Sequence, residues 1–261
     1  MVSTVSILAM AVTLVICFGL PVALVIYFYK KERIALVAVA VGALVFLVTQ
    51  VLIRIPLLSY LATLEWYQQM AANLFIIAFF LSLTAGIFEE VGRYFGFKLF
   101  LKKHLSWKNG VAFGIGHGGI EAIVLTGLTY VNNLVYSFMI NTGAFDQAIA
   151  PLIGPEMTDY IKGQLIDLPY YIFIVAGLER ALTIVIHIAL SLVVLLAVTK
   201  GKTIYLLYAI LLHAAVNLPA VLIPGPGYNI LYAELYLLVL AVIGIIFIKS
   251  SRHSFPAIES D

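Results

Sequence analysis

Long apolar runs separated by short polar breaks dominate the chain. Seven of these runs are long enough to cross a bilayer as an α-helix, which takes roughly 20 residues. They cover residues 4–29, 34–58, 71–101, 109–140, 170–199, 203–223 and 229–248. The pattern therefore predicts an all-α fold, a polytopic transmembrane helix bundle of about seven spans. We expect the whole chain, residues 1–261, to form one integral-membrane domain.

Basic residues follow these runs in alternation. Lysine and arginine cluster at 30–33, 102–108, 200–202 and 249–252, whereas the other connections contain only Lys162. Because cytoplasmic loops carry the excess of positive charge, the N-terminus is predicted to lie outside and the C-terminus in the cytosol. The largest outer loop, at about 141–168, mixes apolar and acidic residues. It is expected to form a short amphipathic piece at the outer interface.

Composition agrees with a membrane protein whose surroundings are the lipid bilayer. Hydrophobic residues make up 63% of the chain and charged residues 11%, and the mean hydropathy is +1.10. Soluble domains have about 45–50% apolar and about 25% charged residues. The net charge of +2 gives no reason to expect nucleic acid as a partner. The single cysteine, Cys17, rules out a disulfide framework and a cysteine-based metal site.

In four of the apolar runs, ionisable side chains are grouped with other polar residues, and because such side chains are costly in hydrocarbon they indicate function. The segments are "FEEVGRY", "GIGHGGIEA", "LERALTIVIH" and "LLHAAVN". Their polar residues are Glu89, Glu90, Arg93, His117, Glu121, Glu179, Arg180, His187, His213 and Asn217. Counted from the cytosolic ends at 1.5 Å per residue, the histidines and Glu89 lie roughly 12–20 Å deep. We therefore expect one shared site within a catalytic-type core at about 71–223.

Spacing within the helices supports a shared site. Residues four apart lie on one helix face. Three pairs have this spacing: Glu89 with Arg93, His117 with Glu121, and His213 with Asn217. The glycines around His117 would let another helix approach closely.

Structural roles are also open to several of these residues. Glu90 with Arg93 can be an ion pair that holds a helix end, and Glu179 with Arg180 can fix helix registry. His187 can be a structural hydrogen-bonding group.

The residue types suit hydrolysis by an activated water. Glu89 can act as the base, His117 can orient the same water, and His213 with Asn217 can donate hydrogen bonds to an oxyanion. Covalent catalysis is disfavoured because Cys17 lies on the first run, away from the cluster. Two histidines and a carboxylate also match the ligands of a catalytic zinc ion, which would be His117, His213 and Glu89. The H-E-x-x-H signature is absent, so no metal is the first choice and zinc the second.

Three motifs carry a family resemblance. "EEVGR" at 89–93, "FGIGH" at 113–117 and "HAAVN" at 213–217 resemble those of the CAAX-protease and bacteriocin-processing intramembrane endopeptidases. With "GHGGIEA" and "LER" added, the pattern is closer to the YhfC family of bacterial membrane peptidases, over nearly the whole chain. The chain has E-E-x-x-R where the prenyl-protein proteases have E-E-x-x-x-R. That difference turns the arginine by about 100° around the helix.

The resemblance implies roles for individual residues. Glu89 would be the general base, with His117 positioning the water. His213 and Asn217 would stabilise the oxyanion. The supporting residues would be Glu90, Arg93, Glu121, Glu179, Arg180 and His187.

The leading hypothesis is an intramembrane endopeptidase in a bacterial cytoplasmic membrane. It would cut a membrane-borne or lipophilic peptide or protein. A proton-coupled transporter is an alternative, since buried Glu, His and Arg also form proton relays. A non-catalytic immunity or binding protein on the same fold is another.

Overall fold

The computed structural model describes residues 1–222 and 229–255, which are mostly helical. In chain order the helices are α1 (Thr4–Glu32), α2 (Leu36–Leu61), α3 (Glu65–Ala71), α4 (Leu74–Phe100), α5 (Trp107–Thr142), α6 (Ala144–Ala148), α7 (Ala150–Ile166), α8 (Tyr170–Thr199), α9 (Ile204–Leu222) and α10 (Leu231–Ser254). Seven of them, all except α3, α6 and α7, are long and apolar enough to span a membrane. The predicted seven-span, all-α architecture is confirmed, and the orientation of the termini stays a prediction. Residue 223, the last of the predicted sixth run and of the predicted core, lies outside the described residues.

Three of the spanning helices contain a π-helical segment. These segments are Leu47–Arg54 in α2, Gly96–Phe100 in α4 and Ala122–Gly127 in α5. A π-helix forms i→i+5 hydrogen bonds, is rare, and occurs frequently at functional sites. Each segment contains or closely follows a buried or half-buried polar residue in its own helix, namely Gln50, Arg93 or Glu121.

The chain divides into two compact units. The first consists of Met1–Leu20 and Ala122–Ala181, and the second of Pro21–Glu121 with the described part of Leu182–Asp261. The prediction of one integral-membrane domain stays a prediction.

In the first unit, an apolar core is formed by residues from α1, α5, α7 and α8, including Met10, Tyr130 and Phe173. The predicted outer loop forms the helices α6 and α7, with Phe145 buried and Leu152 80% exposed. Its amphipathic character and its place at the membrane interface stay predictions.

In the second unit, glycines let helix backbones approach each other beside two histidines. A Cβ at Gly116 of α5 would collide with the backbone of Val39 of α2. A Cβ at Gly86 of α4 would lie only 2.6 Å from the carbonyl oxygen of Ile210 of α9. The close approach expected around His117 is therefore present, and the same device brings α9, with His213, against α4.

Candidate metal and catalytic site

A cluster of polar side chains is buried inside the second unit. It is contributed by five helices: α2 gives Gln50 and Arg54; α4 gives Glu89, Glu90 and Arg93; α5 gives His117 and Glu121; α8 gives His187 and Ser191; α9 gives His213. Glu90, Arg93 and His117 are 0% exposed, and Glu89 is 4% exposed. Charged groups so fully buried must be paired with one another. We refer to these residues as the polar cluster.

Glu89 lies at the centre of the polar cluster. Its Oε2 atom is 2.9 Å from Nε2 of His117 and 3.4 Å from Nη2 of Arg93. Its Oε1 atom is 3.7 Å from Nε2 of His213 and accepts a hydrogen bond from Nε2 of Gln50. Each oxygen of this carboxylate therefore faces one histidine and one further donor.

Glu90 holds His213 in a defined orientation. The Glu90 Oε1 atom lies 2.6 Å from Nδ1 of His213, and Oε2 lies 3.2 Å from Nε of Arg93. Because a carboxylate only accepts hydrogen bonds, Nδ1 of His213 carries the proton and donates it. In the neutral ring this leaves a lone pair on Nε2, the nitrogen nearest Glu89. A carboxylate behind a histidine is the usual support of a metal-binding imidazole.

Arg93 holds His187 in the opposite tautomer. Its Nη2 atom lies 2.7 Å from Nδ1 of His187, and its Nη1 atom donates to the His187 carbonyl oxygen and to Oγ of Ser191 at 3.0 and 2.6 Å. Arginine only donates, so Nδ1 of His187 accepts and the ring proton is on Nε2. That nitrogen lies 2.6 Å from Oε2 of Glu121, at ion-pair distance. The protonated nitrogen of His187 therefore faces the Glu121 carboxylate.

Aromatic rings enclose His117. Phe46 meets the imidazole edge-on with ring centroids 5.3 Å apart, and Phe113 stacks on it at 6.3 Å. Nδ1 of His117 is buried and has no hydrogen-bond partner among the described residues. This imidazole lies in an apolar environment and is directed at Glu89 through Nε2.

The polar cluster offers several metal ligands close together. One ligand atom from each of Glu89, His117, Glu121 and His187 lies within 4.8 Å of the others. The tautomer of His187 argues against that residue, because Arg93 occupies the lone pair on Nδ1 and so keeps the proton on Nε2, where a metal would need a lone pair. Nε2 of His117 also faces a carboxylate, but Nδ1 of His117 has no hydrogen-bond partner among the described residues and can take the proton. His213 has the required lone pair on Nε2.

Glu89 faces the two histidines through different oxygens: Oε2 lies 2.9 Å from Nε2 of His117, and Oε1 lies 3.7 Å from Nε2 of His213. Carboxylate and imidazole are ligand types of catalytic zinc sites. The chemistry of Glu89, His117 and His213 therefore suits a zinc ion, with the Glu121 carboxylate close to Glu89 and His117.

Most of the site residues predicted from the sequence meet in this polar cluster, including Glu90 and Glu121. The shorter E-E-x-x-R spacing still allows Arg93 to contact both glutamates. Asn217 is half-buried on α9, and no described hydrogen bond joins its side chain to the cluster. Its oxyanion role stays a prediction.

Glu179 and Arg180 belong to the first unit, where they form an ion pair with each other. Their supporting role stays a prediction. Sequence reasoning missed Gln50 and Arg54, which lie four residues apart in the second apolar run. The sequence signal that could have identified them is an amide and a cation four residues apart, on one helix face, within an apolar run.

Comparison with known proteins agrees with these observations. Residues 15–237 match the sequence model of the family described as YhfC intramembrane metalloprotease. The chain is 35% identical over 257 residues to a Bacillus subtilis (strain 168) protein, the uncharacterized membrane protein YhfC, covering 98% of this chain and 100% of that protein. No solved structure matches the chain. The chain belongs to the YhfC family and is an integral membrane protein, as the resemblance indicated.

Proposed function

We propose that the chain is an intramembrane metalloendopeptidase that hydrolyses a peptide bond of a membrane-borne or lipophilic peptide. The observation that carries this proposal is Glu89, a buried carboxylate in a membrane-spanning helix, between His117 and His213. Ionisable side chains are costly within a bilayer, so their presence in this arrangement indicates a function. The description of the family as a metalloprotease supports the same class of activity.

Glu89, His117 and His213 would hold a zinc ion. Bound zinc would supply Lewis acidity, which activates a water molecule and polarises a carbonyl group. The ion pair behind His213 supports this choice, because Glu90 fixes the ring with Nε2 toward Glu89. The proposal thus reverses the ranking based on the sequence alone, in which a metal-free glutamate mechanism came first.

The other residues of the polar cluster have distinct tasks in this proposal. Glu121 would take the proton from the attacking water, because its carboxylate lies next to the ligand atoms of Glu89 and His117. His187 would orient Glu121 through the close contact of its Nε2 atom with Oε2 of Glu121, and Arg93 would keep His187 in the required tautomer. In the metal-free alternative, Glu89 itself takes the proton, and His213 and Asn217 donate to the oxyanion.

Cleavage assays with and without metal test the proposal. The protein would be purified in detergent and incubated with a fluorogenic membrane-peptide library, before and after chelation and after zinc is restored. We expect cleavage that is lost on chelation, recovered with zinc and absent in Glu89→Gln. The matched control is Glu65→Gln, which changes an exposed glutamate of α3 and is expected to retain activity.

Two outcomes would contradict parts of the proposal. Cleavage that depends on Glu89 but survives chelation would support the metal-free mechanism. Cleavage that persists in Glu89→Gln would exclude the polar cluster as the site.

A further inference from the structure

Gln50 and Arg54 are the two members of the polar cluster on α2, a helix that carries none of the family motifs. We propose that they form a positioning pair, in which Arg54 orients the Gln50 amide so that Gln50 holds the Glu89 carboxylate. This inference rests on the proposed function, in which Glu89 is a zinc ligand and the orientation of its carboxylate affects zinc binding.

The hydrogen bonds define one orientation of the Gln50 amide. Nη1 of Arg54 donates to Oε1 of Gln50 at 3.1 Å, and Nε2 of Gln50 donates to Oε1 of Glu89. A guanidinium group only donates and a carboxylate only accepts. The amide can satisfy both neighbours in this orientation alone, because a flip would place its oxygen against the carboxylate and its NH₂ group against the guanidinium.

Arg54 is itself held in place by α4. Its Nη2 atom donates to the carbonyl oxygen of Leu81 at 2.6 Å, and its Nε and Nη2 atoms both lie 3.3 Å from Oγ1 of Thr84. The guanidinium therefore bridges α2 and α4 about one to two turns before Glu89. Its Nη1 atom is the donor that binds Gln50.

Close packing of α2 on α4 fixes the distance that the amide must span. A Cβ at Gly92 would lie within 3.1 Å of side-chain atoms of Val45 and Thr49, so these α2 side chains would have to shift to accommodate a larger residue. Gln50 itself is 5% exposed and lies in the π-helical segment Leu47–Arg54. A rigidly seated amide that donates to one carboxylate oxygen limits rotation of the Glu89 carboxylate, and so keeps each oxygen facing its own histidine.

The test replaces the amide by a side chain of similar length that cannot donate, Gln50→Met. Two properties would be measured in the purified full-length protein: the zinc dissociation constant, by competition with a chromogenic chelator, and the carboxylate stretching band of Glu89. That band is identified by difference from the infrared spectrum of Glu89→Gln. We expect a dissociation constant raised about 10- to 100-fold, as for other residues that support a metal ligand, and a shifted band.

The chain provides a matched control in Gln69→Met. Nε2 of Gln69 donates to Oε1 of Glu65 at 3.3 Å on the exposed helix α3, so it is also an amide paired with a glutamate. Neither the zinc affinity nor the Glu89 band should change in this variant. The variant Arg54→Met tests the pair from its other end if Gln50→Met does not fold. Combined with Gln50→Met it should add little to the loss of zinc affinity, because both act through one amide.

The outcomes separate this inference from the proposed function. Unchanged zinc affinity and an unchanged Glu89 band in Gln50→Met would overturn the positioning role, while zinc binding by the wild type would still support the metal site. A wild type that binds no zinc would overturn the metal site, and the infrared band alone would then decide whether Gln50 positions Glu89.

Discussion

The two units use buried polar side chains in different ways. In the first unit they bind backbone carbonyls: Oγ1 of Thr13 and the hydroxyl of Tyr130 both donate to the carbonyl oxygen of Phe173, at 2.5 and 3.2 Å. In the second unit, charged side chains bind one another across helices, as Glu89 does with His117 and Glu90 with His213. The first pattern satisfies the backbone and stabilises helix packing. The second pattern gathers reactive groups.

The energetic difference explains why this contrast indicates function. A neutral hydrogen bond to a carbonyl contributes about 1 kcal/mol to stability. A buried ion pair often contributes nothing compared with apolar side chains of the same size. A polar cluster with three glutamates, two arginines and three histidines is therefore not explained by stability. Its residues are expected to be sensitive in activity and metal binding, whereas those of the first unit are expected to be sensitive in stability alone.

The largest effect is expected for Glu89→Gln. The substitution keeps the shape but removes the charge that faces His117 and His213, so the zinc ion would lose a ligand and peptide cleavage should fall by at least about 10²-fold, to the level of the chelated protein. The rate of peptide cleavage measures this loss, with the unfolding temperature in detergent as the check on folding. If the folded Glu89→Gln variant cleaved peptide at the wild-type rate, the polar cluster of the second unit would not be the catalytic site.

Arg93→Met should cost the most stability. Arg93 is the cation shared by Glu89 and Glu90, and its removal leaves both carboxylates buried without it. Breaking a buried pair in this way costs about 3–5 kcal/mol. Chemical denaturation in detergent micelles would measure the loss. If stability were unchanged, the two glutamates could not be charged in the folded protein.

Glu90→Gln should weaken zinc binding with a smaller effect on folding. The amide oxygen can still accept from Nδ1 of His213, but it lacks the charge that supports a metal-bound imidazole. We expect the zinc dissociation constant to rise about 10- to 100-fold. Competition with a chelator measures this change, and Glu65→Gln on the exposed helix α3 is the control. Equal affinities for Glu90→Gln and the wild type would mean that His213 does not bind the metal.

The smallest effect is expected for Thr13→Val in the first unit. This change removes a hydrogen bond to the Phe173 carbonyl and should reduce stability by about 1 kcal/mol. Cleavage and zinc affinity should be those of the wild type. A loss of activity at constant stability would show that the first unit also takes part in catalysis.

Much of the fold could be predicted from the sequence because the length of an apolar run limits a spanning helix directly. The predicted runs 170–199 and 203–223 correspond to α8 (Tyr170–Thr199) and α9 (Ile204–Leu222). The π-helical segments and the short helix α3 were not predicted, since no apolar period distinguishes a π-turn from an α-turn.

The candidate site could be predicted only in part. Spacing and motif placed Glu89, His117 and His213 together, and the structure brings them into contact. Gln50 was not predicted, because an amide in an apolar run is a weaker signal of function than a group of ionisable side chains. The position of the proton on His187 could not be predicted, because it depends on a contact with Arg93, 94 residues away in sequence.

The zinc content of the purified protein tests the central claim most directly. Mass spectrometry would compare the wild type with His213→Ala, and with His104→Ala, which changes a histidine outside the spanning helices. The account predicts about one zinc ion per chain in the wild type and in His104→Ala, as for a catalytic site with three protein ligands, and none in His213→Ala. Zinc that is absent from the wild type, or retained in His213→Ala, would contradict it.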